Sequence, residues 1–244
     1  MTPLMTIPAD TSAPPVDLRS RARLLAAILL PVGPAAVGFL RFVMPYKTTD
    51  SAITIVHEVA AHQAAQAAVV WLGFIASLTL VPAVLSAARV ARREAPRLTA
   101  VAVLLLVPAY LSIGWLVTSD AAVLFAVRHG LSTDDAAASY NAMHPAVLVA
   151  GGIFVVGHVL GTVLLGCALW RVTGFPRWAA LAVAISQPLH FVAAVILGSH
   201  VLDLLAWGLN AVGFAVVSIT ILRMSDEQWS PTYKPEAAQM RHGQ

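Results

Sequence analysis

Four polar side chains interrupt the apolar stretches of this chain at positions where a ligand or a proton could be held: His158, Gln187, His190 and Asn210. An imidazole gains or loses a proton near neutral pH, and a carboxamide donates and accepts hydrogen bonds. Polar groups at such depth usually face the interior of a helix bundle and mark functional sites. We therefore predict that these four residues, the polar seam, form a binding site for a small ligand or a proton.

A second set of imidazole and carboxylate groups lies at the ends of the apolar stretches and comprises His144, His200 and Asp203. Histidine nitrogen and carboxylate oxygen are common zinc ligands, so these three residues are candidate metal ligands. His200 and Asp203 are three residues apart and would be neighbours on one helix. The same pair also fits a structural role, in which Asp203 caps the helix or orients the imidazole.

The stretch HEVAAH, residues 57–62, has one residue more than the H-E-x-x-H motif of zinc metalloproteases. Two histidines four residues apart share one helix face and can bind one ion. Histidines five residues apart are separated by about 140° around the helix. The stretch therefore argues against a protease. Glu58 and His62 are four residues apart, and they form a surface pair or hold a metal together.

His144 and His158 lie 14 residues apart, which places them within about 40° of one helix face and roughly 21 Å apart along it. This spacing resembles that of the cytochrome b subunits of quinol-oxidising complexes, where two histidines on one helix each ligate a different haem. The resemblance implies haem ligation, with His190 and His200 as partner ligands. The alternative is a neutral His158 that hydrogen-bonds to a neighbouring helix.

Small residues in the same stretch help to decide between haem ligation and a neutral, hydrogen-bonded His158. Gly157 and Gly161 have the small-xxx-small spacing of a helix-packing face. They either let a neighbouring helix approach closely or make room for a flat cofactor, and the spacing favours close packing.

The elements that must position these residues are membrane-spanning helices. The chain is 59% hydrophobic and only 11% charged, whereas a soluble domain has about 25% charged residues. About 20 apolar residues cross a bilayer as a helix. Six such spans are predicted at about 22–44, 66–88, 98–118, 145–170, 178–197 and 201–222. The sequence predicts an all-α, polytopic membrane bundle, kinked in its first span by Pro31 and Pro34.

The segments outside the spans complete the predicted organisation. Residues 119–143 are predicted to contain an interfacial amphipathic segment between the third and fourth spans. Residues 1–20 are predicted to be a flexible cytoplasmic tail, residues 21–223 the six-helix transmembrane domain, and residues 224–244 a disordered cytoplasmic tail. Prolines and polar residues dominate both tails.

Three stretches carry a family resemblance: QPLHFVAAVILGSHVLDLLAWGLNAVGF, HPAVLVAGGIFVVGHVLGTVLLGCALWR and WLGFIASLTLVPAVL. They resemble an actinobacterial family of small multi-pass integral membrane proteins that has no assigned function. The resemblance covers roughly residues 40–222 and implies a multi-helical membrane fold, without any site residues. The excess of arginine over lysine also suggests a bacterial genome rich in GC.

The distribution of basic residues predicts the orientation. With a cytoplasmic N-terminus, 12 of the 15 lysines and arginines lie on the cytoplasmic side, as the positive-inside rule requires. We therefore expect a protein of the bacterial inner (plasma) membrane with both termini in the cytoplasm. Its expected partners are the lipid bilayer and other membrane proteins. The net charge of +3 comes from loop arginines and does not indicate nucleic-acid binding.

The leading functional interpretation is a non-enzymatic membrane protein that binds or transports a small ligand, or that supports another membrane component. The first alternative is a haem- or metal-binding redox protein that uses His144, His158 and His190. The second is a metal-dependent membrane hydrolase with a zinc site on the outward face. Haem and zinc are the cofactors considered, and no catalytic residue is assigned.

Overall fold

The computed structural model describes residues 17–229, and this part of the chain is helical and contains no strand. Its elements are α1 (Arg19–Leu29), α2 (Val32–Val43), α3 (Ala52–Ala61), α4 (Gln63–Ala91), α5 (Pro96–Arg128), α6 (Thr133–Asn141), α7 (Pro145–Trp170), α8 (Arg177–Phe191), a π-helical segment (Val192–Leu197), α9 (His200–Arg223) and α10 (Asp226–Trp229). Six of the helical stretches are long and apolar enough to cross a membrane. The predicted all-α bundle of six spans is confirmed.

The six spans form a closed ring. The first span, α1 with α2, packs on α4, and the ring continues through α5, α7 and α8 to α9, which packs back on α1 and α2. Consecutive spans run in opposite directions, so the connections between them lie alternately at the two ends of the bundle. We call the end that holds Asp120 and His200 the polar end, and the end that holds Arg89, Arg97 and Arg171 the arginine end.

The first span bends where the prolines predict it. Helix α1 ends at Leu29 and α2 begins at Val32, with Pro31 as its N-cap residue. A proline nitrogen carries no hydrogen to donate to the preceding turn. The kink is therefore a direct consequence of the sequence.

Helix α5 is ten residues longer at its C-terminal end than predicted, because it continues to Arg128. The polar run from Thr118 to Asp120 suggested an end near residue 118. In the structure the Thr118 hydroxyl donates to the Gly114 carbonyl at 2.8 Å and the Ser119 hydroxyl to the Trp115 carbonyl at 3.0 Å. Hydroxyls that bond back to the preceding turn are tolerated inside a helix, so these residues do not end it.

Two short helices lie over the polar end. Helices α3 and α6 pack on each other, and α3 also packs on α5. Each begins with a serine cap: the Ser51 side chain accepts from the Thr54 amide, and the Ser132 side chain accepts from the Asp135 amide. The position of the segment around α6 along a membrane surface stays a prediction.

Two glycines of α7, Gly157 and Gly161, are packing residues. A Cβ atom on Gly157 would lie 2.7 Å from the Leu105 carbonyl oxygen, and one on Gly161 would lie 2.6 Å from Leu106 Cγ. Helix α5 therefore fills the space beside these glycines, and a flat cofactor has no room there.

The predicted tails lie mostly outside the described residues. In the second predicted tail, α10 packs against α1. Trp229 is buried, and the Arg89 guanidinium lies 4.5 Å from the centroid of the Trp229 ring.

Candidate ligand site

Three spans meet at a buried ionic network near the polar end. Asp203 of α9 is 1% exposed, and its Oδ2 accepts a hydrogen bond of 2.6 Å from Nε of Arg41 on α2. Its Oδ1 accepts a hydrogen bond from Nδ1 of His190 on α8. A buried carboxylate is tolerated only when it is paired and hydrogen-bonded. The network therefore ties α2, α8 and α9 together.

The tight connection between α8 and α9 brings this pair into contact. His190 and Asp203 are 13 residues apart in the chain. The π-helical segment between them ends at Leu197 and is followed by Gly198, whose φ of 59° is in the left-handed region that favours glycine. The chain turns there at once into α9, whose first turn carries Asp203.

Arg41 also contacts several other residues at the polar end. Its Nη2 donates to the Thr48 hydroxyl at 2.6 Å, and its Nη1 lies 3.1 Å from the Met44 sulfur. Its carbonyl oxygen accepts a hydrogen bond of 2.7 Å from Nδ1 of His200. Arg41 therefore hydrogen-bonds to both the loop after α2 and the start of α9.

The two histidines of the predicted polar seam lie side by side. The ring centroids of His158 and His190 are 5.3 Å apart, and the Trp207 ring lies 6.0 Å and 5.4 Å from them. His158 donates from Nδ1 to the Phe154 carbonyl, so its neutral ring keeps a lone pair on Nε2. That Nε2 and the indole nitrogen of Trp207 are buried without a partner in the described chain.

The two amides of the seam are buried as well. The nearest partner of Gln187 Nε2 is the Ser186 hydroxyl at 3.5 Å, while Asn210 makes no hydrogen bond of good geometry within residues 17–229. Asn210 and Thr162 face the hydroxyl of Tyr110. No hydrogen bond links either amide to either histidine in the described part of the chain. A ligand at the seam stays a prediction.

The residues predicted as metal ligands each have a structural role. His144 is the N-cap of α7 and accepts from the Ala146 amide at 3.2 Å. His200 bonds to the Arg41 carbonyl, and Asp203 holds the ion pair with Arg41. Residues 17–229 contain no group of three or more His, Cys, Asp or Glu side chains that could hold a metal ion.

The HEVAAH stretch forms the surface pair that the spacing allows. Glu58 Oε2 lies 3.5 Å from Nδ1 of His62, and the other carboxylate oxygen lies 3.7 Å from Nδ1 of His57. Helix α3 ends at Ala61, so His62 already belongs to the junction with α4.

A cavity of about 550 Å³ lies at the polar end, between α2, α5 and α7 and beneath α3 and α6. This volume falls in the range of roughly 300–1,000 Å³ that is typical of small-molecule sites. Most of its wall is apolar. Its polar lining residues are Arg41, Tyr46, Thr48, Ser119, Asp120, Tyr140 and Asn141.

Asp120 is the carboxylate of this cavity. It accepts hydrogen bonds from the Tyr46 hydroxyl and, at 3.2 Å, from Nε2 of Gln66. Burial and the negative charge of Asp120 raise the pKa of Tyr46 well above its usual value. Burial and the same charge raise the pKa of Tyr140. Both phenols therefore stay protonated, and Tyr46 remains a hydrogen-bond donor to the carboxylate.

Arg41, Tyr46 and Asp120 were not predicted to form a site. The available signal was the presence of ionisable residues inside or next to apolar segments. Asp120 was assigned to a surface segment because α5 was predicted to end before it. Tyr46 lies 74 residues from Asp120, and only the tertiary structure brings them together.

The residues that the structure describes define an all-helical protein with six helices long and apolar enough to span a membrane. No model of a known protein family matches the chain, and neither a curated protein nor a solved structure matches it.

Proposed function

We propose that this integral membrane protein binds a small ligand in the polar-end cavity, as a binding protein or as the binding step of a transporter. The observation that carries the proposal is the cavity itself: about 550 Å³, mostly apolar walls, and two charged side chains, Arg41 and Asp120. Ligand sites commonly combine an apolar lining with a few polar groups that orient the ligand.

The packing beyond the seam supports a site reached from the polar end. Towards the arginine end the interior holds Leu106, Leu165 and Phe214, which are fully or almost fully buried. These apolar residues separate the cavity from the arginine end. In this conformation the chain offers a pocket, and transport would require a second conformation.

We further propose the orientation that the basic residues predict. The arginine end would face the cytoplasm of a bacterial inner membrane and the polar end would face outward. The excess of arginine over lysine supports the bacterial setting of this proposal. A ligand would then enter from the outer side or from the lipid.

Two adjacent glycines provide the test. Gly151 lines the cavity, and a Cβ atom there would meet only Leu116, at 3.8 Å. Gly152 is exposed, and a Cβ atom there would meet nothing within 4 Å. The substitution Gly151→Phe should fill the cavity, whereas Gly152→Phe should leave it open and serves as the matched control.

The measurement is mass spectrometry of the molecules extracted from detergent-purified protein. We expect a small molecule to co-purify with the wild type and Gly152→Phe in similar amounts. Gly151→Phe should retain several-fold less of it. Equal amounts in all three proteins, or no bound molecule in any of them, would contradict the proposal.

A further inference from the structure

We propose that the ligand of the polar-end cavity is an amphipathic cation, with an apolar body and one positively charged group held against Asp120. This inference rests on the proposed function and adds the chemical class of the ligand. It follows from the charges around the cavity, the partners of Asp120 and the composition of the wall.

The cation within the cavity wall is already neutralised. Arg41 Nε is 2.6 Å from Asp203 Oδ2, and the Arg41 side chain is largely buried against that carboxylate. Its other nitrogens face the Met44 sulfur and the Thr48 hydroxyl. The positive charge of Arg41 is thus matched by Asp203, and the negative charge of an ionised Asp120 is left over.

The direct partners of Asp120 are neutral. They are the hydroxyl of Tyr46 and the amide of Gln66, and neither can cancel a charge. Arg41 acts on Asp120 only through space. An ionised carboxylate out of water is costly without a counter-charge, so Asp120 either holds a proton or pairs with a cation. A cationic ligand in the cavity would supply that counter-charge. Asp120 is half-buried and lines the cavity.

The wall suits an organic cation better than a metal ion. Tyr46, Tyr140 and Phe154 line the cavity together with Asp120. The faces of aromatic rings attract cations, and this attraction is the usual means by which proteins recognise quaternary ammonium groups. A metal ion would instead need several oxygen or nitrogen ligands, and residues 17–229 contain no group of three or more His, Cys, Asp or Glu side chains that could hold one.

The remaining lining residues supply space for an apolar body. Ile113, Leu116 and Val117 of α5 line the cavity together with Val147 and Leu148 of α7. Leu148 is also 78% exposed. The cavity therefore opens to the surface of the bundle at the first turn of α7, which leaves a route for a ligand with an apolar body.

The experiment uses two probes that differ mainly in the sign of their charge. Tetraphenylphosphonium is a lipophilic cation, and tetraphenylborate is an anion of nearly the same size and shape. Binding of each radiolabelled probe to the full-length, detergent-purified protein is measured by equilibrium dialysis. We expect saturable binding of the cation, with an affinity at least about tenfold higher than that of the anion.

Two substitutions of Asp120 separate charge from folding. Asp120→Asn keeps an oxygen that can accept from Tyr46 and Gln66 but removes the charge, and it should weaken cation binding at least about tenfold. Asp120→Glu keeps the charge and should retain most of the binding. Loss of binding in both variants, with the thermal unfolding of both unchanged, would overturn the role of the charge.

The cavity variants distinguish this inference from the proposed function. Loss of cation binding in Gly151→Phe but not in Gly152→Phe places the probe in the cavity. Equal binding of both probes there, with no effect of Asp120→Asn, would overturn the cationic class while leaving the cavity as a ligand site. Preference for the anion, or no binding of the cation to the wild type, would also overturn the cationic class. Cation binding that survives Gly151→Phe would contradict both proposals.

Discussion

The two ends of the bundle handle charge in opposite ways. At the polar end, charges lie inside the protein: Asp203 is 1% exposed and is held by Arg41 and His190 from two other spans. At the arginine end, the ionic contacts lie at the surface, as in the pair between Arg19 and Glu227. The difference indicates that the arginine end anchors and orients the chain, whereas the polar end holds groups that must be balanced for the bundle to fold.

The largest effect is expected from removing one member of the buried pair. Asp203→Leu leaves the Arg41 guanidinium without its counter-ion, which should lower the free energy of unfolding by about 3–5 kcal/mol. The measurement is equilibrium or thermal unfolding in detergent. The double substitution Arg41→Met with Asp203→Leu removes both charges and should recover part of the loss. A double variant less stable than Asp203→Leu would contradict the view that the unpaired Arg41 charge causes the loss of stability at the polar end.

A smaller effect is expected at the arginine end. The Arg89 guanidinium lies 4.5 Å from the ring centroid of Trp229. Trp229→Leu removes the cation–π contact and part of the buried ring area, and it should lower the free energy of unfolding by about 1–2 kcal/mol.

Trp170 provides the matched control for that prediction. Its ring centroid lies 5.5 Å from the Arg177 guanidinium, and its side chain is exposed. Trp170→Leu should change the stability less than Trp229→Leu does. If Trp229→Leu destabilised as strongly as Asp203→Leu, the two ends would not differ as described.

The smallest effect concerns Glu94, in the connection between α4 and α5. Hydrogen bonds from the Thr173 hydroxyl at 2.7 Å and its backbone amide at 3.0 Å lower the pKa of Glu94. A lowered folded-state pKa means that the stabilisation is present above the unfolded pKa, roughly 4.3, and is lost as the pH falls through the folded value.

Thermal unfolding against pH checks this prediction. Above about pH 5 the wild type should be slightly more stable than Glu94→Gln, and the difference should shrink as the pH is lowered below roughly 4.3. A difference that stayed constant down to pH 2 would show that the hydrogen bonds to Thr173 do not depend on the ionised carboxylate.

Local sequence features predicted the scaffold well. The number of spans, the kink at Pro31 and the packing role of Gly157 and Gly161 all follow from hydropathy, proline chemistry and small-residue spacing, which act over a few turns of one helix. The end of α5 was predicted too early because polar side chains that bond within their own helix look like a boundary in sequence.

The candidate site was only partly predictable for a physical reason. His158 and His190 were singled out together and lie side by side, since buried polar residues tend to converge in a bundle. The pairing of Asp203 with Arg41 and of Asp120 with Tyr46 depends on which helices become neighbours in the ring. These contacts join residues 162 and 74 positions apart, and no local pattern encodes them.

Binding of tetraphenylphosphonium to the Gly151→Phe and Gly152→Phe variants tests most directly whether the polar-end cavity is a ligand site. The account predicts a dissociation constant at least about tenfold higher for Gly151→Phe than for Gly152→Phe, which should match the wild type. Equal dissociation constants for the two variants would contradict it, since the probe would then bind outside the cavity.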